Sequence, residues 1–152
     1  MADVTQATSI VCPPEDVWAV LADFGGISRW APNVDHSCLT TSQREGAGAV
    51  RRVQVGRNAL LERVVEWEPG ERLAYAIVGL PPVVRAAVNT WSLEADSGAT
   101  RVTLRTRVDT GPHPPQHLVA RAIGRVMGKA SVQMLAGLKA HLEEARSEEV
   151  GP

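Results

Sequence analysis

The hydrophobic period of this chain changes once, and late. Up to Thr110 the sequence is a succession of short, β-branched segments broken by turn residues, and after the proline-rich "GPHPPQH" a single long helical period takes over. From about Gln116 to Glu144, Val119, Ile123, Val126, Met127, Ala130, Met134, Leu138 and Leu142 fall on one face, while Arg121, Arg125, Lys129, Lys139 and Glu143 fall elsewhere. At about 1.5 Å per residue such a helix is roughly 40 Å long, enough to cross a sheet completely. A sheet with one apolar face must bury it, and no other segment is large enough to do so. The expectation is an α+β fold in which a curved sheet grips the C-terminal helix.

The segments before the switch read as seven strands with two short helices after the first. "VTQATSIVC" alternates as a half-buried strand does, and Pro13-Pro14 ends it. Glu15 and Asp16 then supply first-turn acids for a helix carrying Val17, Trp18, Val20, Leu21 and Phe24, closed by Gly25-Gly26. A second helical piece spans Ile27 to Trp30 and breaks at Pro32, and Val34 to Thr41 reads as the next strand. "GAVRRVQV", "NALLERVVEWE", "ERLAYAIVGL", "AVNTWSLEA" and "TRVTLRTRVDT" follow, separated by turn compositions such as "EPGE" and "DSGA" that suit an antiparallel meander. With 152 residues and no internal repeat, residues 1–152 are expected to form one domain, with 146–152 as a frayed tail.

Several function classes are disfavoured by composition and spacing. A formal charge of −1 gives no basic footprint for nucleic acid. No apolar run approaches the roughly 20 residues of a membrane span, so no integral membrane association is expected. The opening "MADVTQATSIVC" has neither a basic start nor a long apolar stretch, which points to the cytoplasm, and Cys12 and Cys38 are expected to be reduced thiols. The prolines in "HPPQH" keep His113 and His117 off the single helical face that metal ligands at this spacing need. "GAGAVRR" does not open a helix, so it is no phosphate loop, and no serine sits in a nucleophile elbow. No metal and no cofactor are expected; a monomer and a homodimer are both open.

Several motifs together resemble the SRPBCC superfamily, the helix-grip proteins that include START-related lipid binders and polyketide cyclase/dehydrase proteins. They are the helix start "PPEDVWAVLADF", the W-x-P-x-V of Trp30, Pro32 and Val34, the G-x-G-x-V-R of Gly46 to Arg51, "ERVVEWEPGERLAY" and "GATRVTL". The resemblance runs from about Val4 to Ala145. It implies a deep, mostly apolar cavity between sheet and terminal helix, and members that variously bind lipids, hormones, polyketides or quinones, of which only some are catalysts.

Strand alternation proposes which side chains face that cavity. In "VRRVQV" the apolar parity of Val53 and Val55 carries Arg51 inward; the alternative is an Arg51 at the strand end that snorkels outward. In "ALLERVVEW" the parities Leu60/Glu62/Val64 and Leu61/Arg63/Val65/Trp67 are nearly equal in apolar content, and only the resemblance, to plant abscisic-acid receptors, favours Glu62 as a pocket carboxylate. The same resemblance places His36 where those receptors hold a pocket lysine, and makes the parity of Tyr75 and Ile77 the inner one. Asn89 and Trp91 share a side of their strand, and Trp30 stands beside the implied entrance. On the long helix Gly124, Gly128, Ala130, Ser131, Ala136 and Gly137 are small for a core helix, and each glycine costs about 1 kcal/mol relative to alanine, a cost that close packing or room for a guest would offset. Met127, Ser131 and Met134 complete the expected ligand-facing set.

Three functions follow as expectations. The first is binding of a small hydrophobic molecule, a lipid or polyketide, in the cavity. The second is a cyclase or dehydratase working by general acid–base chemistry, with His36, Glu62, Arg51 and Tyr75 as candidate catalytic groups. The third is a protein-interaction module with a filled core.

Overall fold

A computed structural model describes residues 2–80, 82, 84–111 and 114–150, with side chains for all of these except 114–117 and 148–150. Its strands are β1 (Ala2–Ile10), β2 (His36–Leu39), β3 (Val50–Val55), β4 (Asn58–Glu68), β5 (Arg72–Val78), β6 (Ala86–Asp96) and β7 (Ala99–Asp109). Helix α1 (Pro14–Ala22) and a 3-10 helix (Phe24–Arg29) follow β1, and helix α2 (Pro114–Val150) ends the chain. All strand pairs are antiparallel, in the order β1-β7-β6-β5-β4-β3-β2, so β1 returns to pair with β7 while the other neighbours are hairpins or short meanders. This is the expected helix-grip arrangement, with one open, seven-stranded sheet.

Local chemistry explains the element ends. Pro14 opens α1 where its missing N–H would lack a partner anyway, with Glu15 and Asp16 in the first turn. The short second helix begins earlier than the sequence indicates, at Phe24, because Gly25 and Gly26 lie inside it rather than ending α1. A side chain at Gly25 would press on Leu39 Cγ at 2.9 Å, so the glycine lets this turn lie against β2. The Ser37 hydroxyl fixes the same contact, donating to the Gly25 carbonyl at 2.8 Å and accepting the Ser28 N–H at 3.0 Å. At the other end α2 continues past Glu144 to Val150, so the expected frayed tail is helical at least that far.

The inner face of the sheet carries the core. Val102, Leu104 and Trp91 are buried there in one cluster with Ile10 of β1 and Val17 and Leu21 of α1, which Leu135 and Leu138 of α2 join. The long helix packs chiefly on β1 and β7, at one edge of the sheet. Over β3 to β5 the cover is the 3-10 helix and the loop behind it, with α2 reaching across only from the side. Val126, expected on the buried face of α2, is 69% exposed for this reason.

One strand required more than alternation. Register in the β4–β5 pair shifts between Val64 and Glu66, the mark of a β-bulge. Before the bulge Glu62 and Val64 face inward and Leu61 and Arg63 outward; after it Trp67 faces the core and stacks edge-on against Trp18 at 5.1 Å. Each parity of "ALLERVVEW" is therefore inward over part of its length.

The glycines of α2 have separate reasons. A Cβ on Gly124 or Gly128 would meet β1 side chains at ordinary contact distance, the nearest at 3.5 Å. A Cβ on Gly137 would collide with the Trp30 carbonyl oxygen and lie 2.5 Å from Pro32 Cδ. Chemical denaturation should separate the two kinds: Gly124→Ala and Gly128→Ala are expected to stabilise by up to about 1 kcal/mol each through helix propensity, whereas Gly137→Ala is expected to destabilise by about 1–3 kcal/mol through overpacking.

Candidate functional site: a cavity beneath the 3-10 helix

The space that α2 leaves over β3 to β5 is a cavity of about 580 Å³. Its floor is the inward row of the sheet, Val53, Val55, Leu60, Glu62 and Ile77, with Asn89 and Thr106 further along. Ile27, Asn33 and Val34 close one side, Met127, Ala130, Ser131 and Met134 of α2 another, and Gly79, Leu80 and Pro82 flank it where β5 leaves the sheet. The lining is mainly apolar with a few polar groups, and the size lies within the range of about 300–1,000 Å³ usual for small-molecule sites. A second depression, of about 690 Å³, lies on the outer face of the sheet. Two of its cations are held in surface ion pairs, Arg72 with Glu66 at 2.9 Å and Arg105 with Asp3 at 2.5 Å.

Cross-strand pairing produces the polar part of the cavity. Leu39, Arg51, Glu62 and Ile77 are successive register partners on β2, β3, β4 and β5, so they share the inner face. Arg51 and Glu62 are 2% and 6% exposed, which makes an outward, snorkelling Arg51 impossible. The Arg51 Nε donates to Glu62 Oε1 at 2.7 Å, and Nη2 lies 2.7 Å from the same oxygen without the alignment of a hydrogen bond. Its Nη1 donates to the Phe24 carbonyl at 2.9 Å, and the guanidinium carbon sits 3.9 Å from the Phe24 ring centre and 4.5 Å from that of Tyr75. The cation is thus enclosed by an ion pair, a carbonyl and two aromatic faces, interactions that offset its desolvation.

Behind the ion pair a polar chain runs through the core. Trp91 Nε1 and Asn89 Nδ2 donate to the Tyr75 hydroxyl at 3.1 and 3.4 Å, and the Thr106 hydroxyl donates to Asn89 Oδ1 at 2.6 Å. Burial raises the pKa of Tyr75, and the nearby Glu62 carboxylate raises it further, against smaller opposing effects of Arg51 and the two donors. The phenol is therefore neutral at physiological pH, and it does not line the cavity.

The structure brings together Val53, Glu62, Ile77, Asn89, Met127, Ser131 and Met134 of the expected set around one cavity. Trp30, Arg51, Tyr75 and Trp91 are buried beside it but lie outside its lining. Trp30 instead stacks edge-on against Trp91 at 5.7 Å, an aromatic contact that ties the loop to the sheet. His36 is a correction: it is exposed, because β2 turns Ser37 and Leu39 inward and so sends His36 to the outer face beside Gln54. Among the candidate catalytic groups only Glu62 lines the cavity. Asn33, in the loop after the 3-10 helix, was missed, since no periodicity marks a loop residue; Leu60 shares the parity of Glu62 and was legible. Among the described residues no cluster suits a metal ion, and both cysteines are free. His113 and the side chain of His117 lie outside the described residues.

Residues 1–143 match the family model described as polyketide cyclase / dehydrase and lipid transport, and the chain belongs to that family. Among solved structures it is similar to the ZhuI aromatase/cyclase from Streptomyces sp. R1128, with a TM-score of 0.77, 22% identity and 93% of each chain covered. It also superposes on one part of the di-domain ARO/CYC StfQ of the steffimycin biosynthetic pathway, with a TM-score of 0.79 and 14% identity over 96% of this chain and 52% of that one. A Thermobifida fusca protein shares 26% identity at a TM-score of 0.75, with 94% of this chain and 96% of that one covered. No curated protein matches the sequence significantly.

Two measurements test the polar core. Glu62→Gln and Arg51→Met are each expected to lower stability by about 3–5 kcal/mol, with much of the loss recovered in the double variant, because breaking a buried pair is worse than removing it; urea titrations of the three variants check this. Because the folded pKa of Tyr75 lies above its ordinary value of 10.0, its contribution is complete below that pH and declines as pH rises beyond it. In Tyr75→Phe this alkaline decline should be smaller, while stability at neutral pH falls by about 1–3 kcal/mol as Trp91 and Asn89 lose their acceptor; melting temperature against pH reads both.

Proposed function

We propose that this protein binds a small, largely apolar organic molecule in the cavity between β3–β6 and α2. The observation that carries the reading is the cavity itself, about 580 Å³ with mainly apolar walls and a short list of polar groups. Membership of a family described as polyketide cyclase / dehydrase and lipid transport supports the same class of guest, a polyketide or a lipid. An interaction module with a filled core fits poorly, because the interior is not filled.

Catalysis of the cyclase or dehydratase kind has less support. General acid–base chemistry needs titratable groups in reach of the substrate. His36 is on the far face, Arg51 is enclosed, and Tyr75 is sealed behind the ion pair. Glu62 alone would have to serve, with Oε1 already committed to Arg51. Binding is accordingly the function put forward, in a protein among whose described residues no helix is long and apolar enough to cross a membrane.

The test is to fill the cavity. Ala130→Phe places a ring into it from α2, and is expected to weaken binding of the neutral probe Nile red at least about tenfold while the melting temperature shifts by only a few degrees. Unchanged Nile red affinity in a folded Ala130→Phe protein would place the bound dye elsewhere and count against the proposal.

A further inference from the structure

The cavity wall has a charge and hydrogen-bonding character that restricts its guest. Among the described lining residues there is no lysine, arginine or histidine, and the only ionisable group is the Glu62 carboxylate. The nearest expected cation, Arg51, is walled off between the Phe24 and Tyr75 rings, with Nη1 on a backbone carbonyl and Nε on Glu62. His36, the other group that could have answered an acid, is exposed on the opposite face. A guest carboxylate would meet a carboxylate and no available counter-charge, in a site whose walls screen poorly.

Hydrogen-bonding capacity points the same way. Asn33 Oδ1 is buried and accepts no hydrogen bond among the described residues. Glu62 Oε1 accepts from Arg51 Nε, and Oε2 accepts none from the described residues; Arg51 Nη2, 2.7 Å from Oε1, makes no hydrogen bond with them either, but it is buried and belongs to a side chain outside the lining. Asn89 Oδ1, by contrast, is already filled by Thr106. The wall therefore offers two acceptors that lack donors, and a buried acceptor without a donor costs free energy until one arrives.

We infer that the cavity selects an uncharged guest that buries a hydroxyl, phenolic or enolic, as a hydrogen-bond donor to Asn33 or to Glu62, and that it discriminates against carboxylates. This rests on the binding function proposed above, and adds to it a class of ligand and a residue, Asn33, that sets specificity. Its direction is opposite to that of a site built on a pocket lysine, which would favour the acid.

Competition against Nile red at pH 7.5 with three probes of one shape, 2-naphthol, naphthalene and 2-naphthoate, tests it on the intact protein. The expected order of affinity is 2-naphthol, then naphthalene, then 2-naphthoate, with at least about a tenfold gap between the first and last. Asn33→Leu should bring 2-naphthol to within about threefold of naphthalene while leaving naphthalene unchanged or tighter. Arg51→Met/Glu62→Gln, which removes the charge as a pair, should improve 2-naphthoate relative to 2-naphthol and provides a second reading if Asn33→Leu fails to fold. Binding of 2-naphthoate as tight as that of 2-naphthol, a discrimination that neither variant alters, or displacement by none of the three would overturn the inference while Nile red binding upheld the pocket. Failure of Nile red itself to bind would overturn the pocket, and the inference with it.

Discussion

A buried cation is costly without partners, and Arg51 has them from three directions. Its register partner on β4 supplies the carboxylate, the 3-10 helix supplies a carbonyl and a ring, and β5 supplies the second ring. These contacts fix where the 3-10 helix sits on the sheet, and hence how far the loop carrying Asn33 and Val34 stands from the floor. They also decide the electrical character of the interior. The guanidinium is neutralised at the wall, so one carboxylate oxygen rather than a positive charge faces the empty space.

That space exists because one helix covers a wide sheet unevenly. A helix has an apolar stripe only a few side chains across, and α2 lies along β1 and β7, where Gly124 and Gly128 face Val4 with room for a methyl group at ordinary contact distance. Its other anchor is the close approach of Gly137 to Trp30 and Pro32. Between these anchors Ala130 and Ser131 face the middle of the sheet with small side chains, and the interior there is left open. Close contact at Gly137 and an opening beside Ala130 and Ser131 both follow from small side chains on one helix face.

The fold was legible because its signals are long-range averages. A single change of period, turn residues at regular intervals and a proline stop after β1 specify the order of elements whatever the individual side chains do. The cavity was legible only where alternation is strict. Val53 and Asn89 follow from parity, and Glu62 and Ile77 from a resemblance; for Glu62 alternation alone could not decide, since the bulge at Val64/Glu66 makes both parities of β4 inward in turn. His36 was misplaced by relying on likeness over alternation; Ser37 and Leu39, one and three residues on, face inward and send it out. Asn33 lies where no period operates. Its position depends on the 3-10 helix, which depends on Arg51, a tertiary contact that no local pattern encodes.

The bulge has a practical corollary. It divides β4 into a stretch whose inward side chains, Leu60 and Glu62, belong to the guest chamber and a stretch whose inward side chain, Trp67, belongs to the aromatic scaffold with Trp18. Remodelling of specificity can therefore be confined to the first stretch, leaving the second as a fixed frame, so the strand is naturally partitioned into a variable half and a constant half. Removing the extra residue, Val65, would leave Val64 opposite Tyr75, Glu66 opposite Ala74 and Trp67 opposite Leu73, a regular ladder with the same side chains inward, so the two halves owe their facing to the bulge only because the strand carries one residue more than its partner.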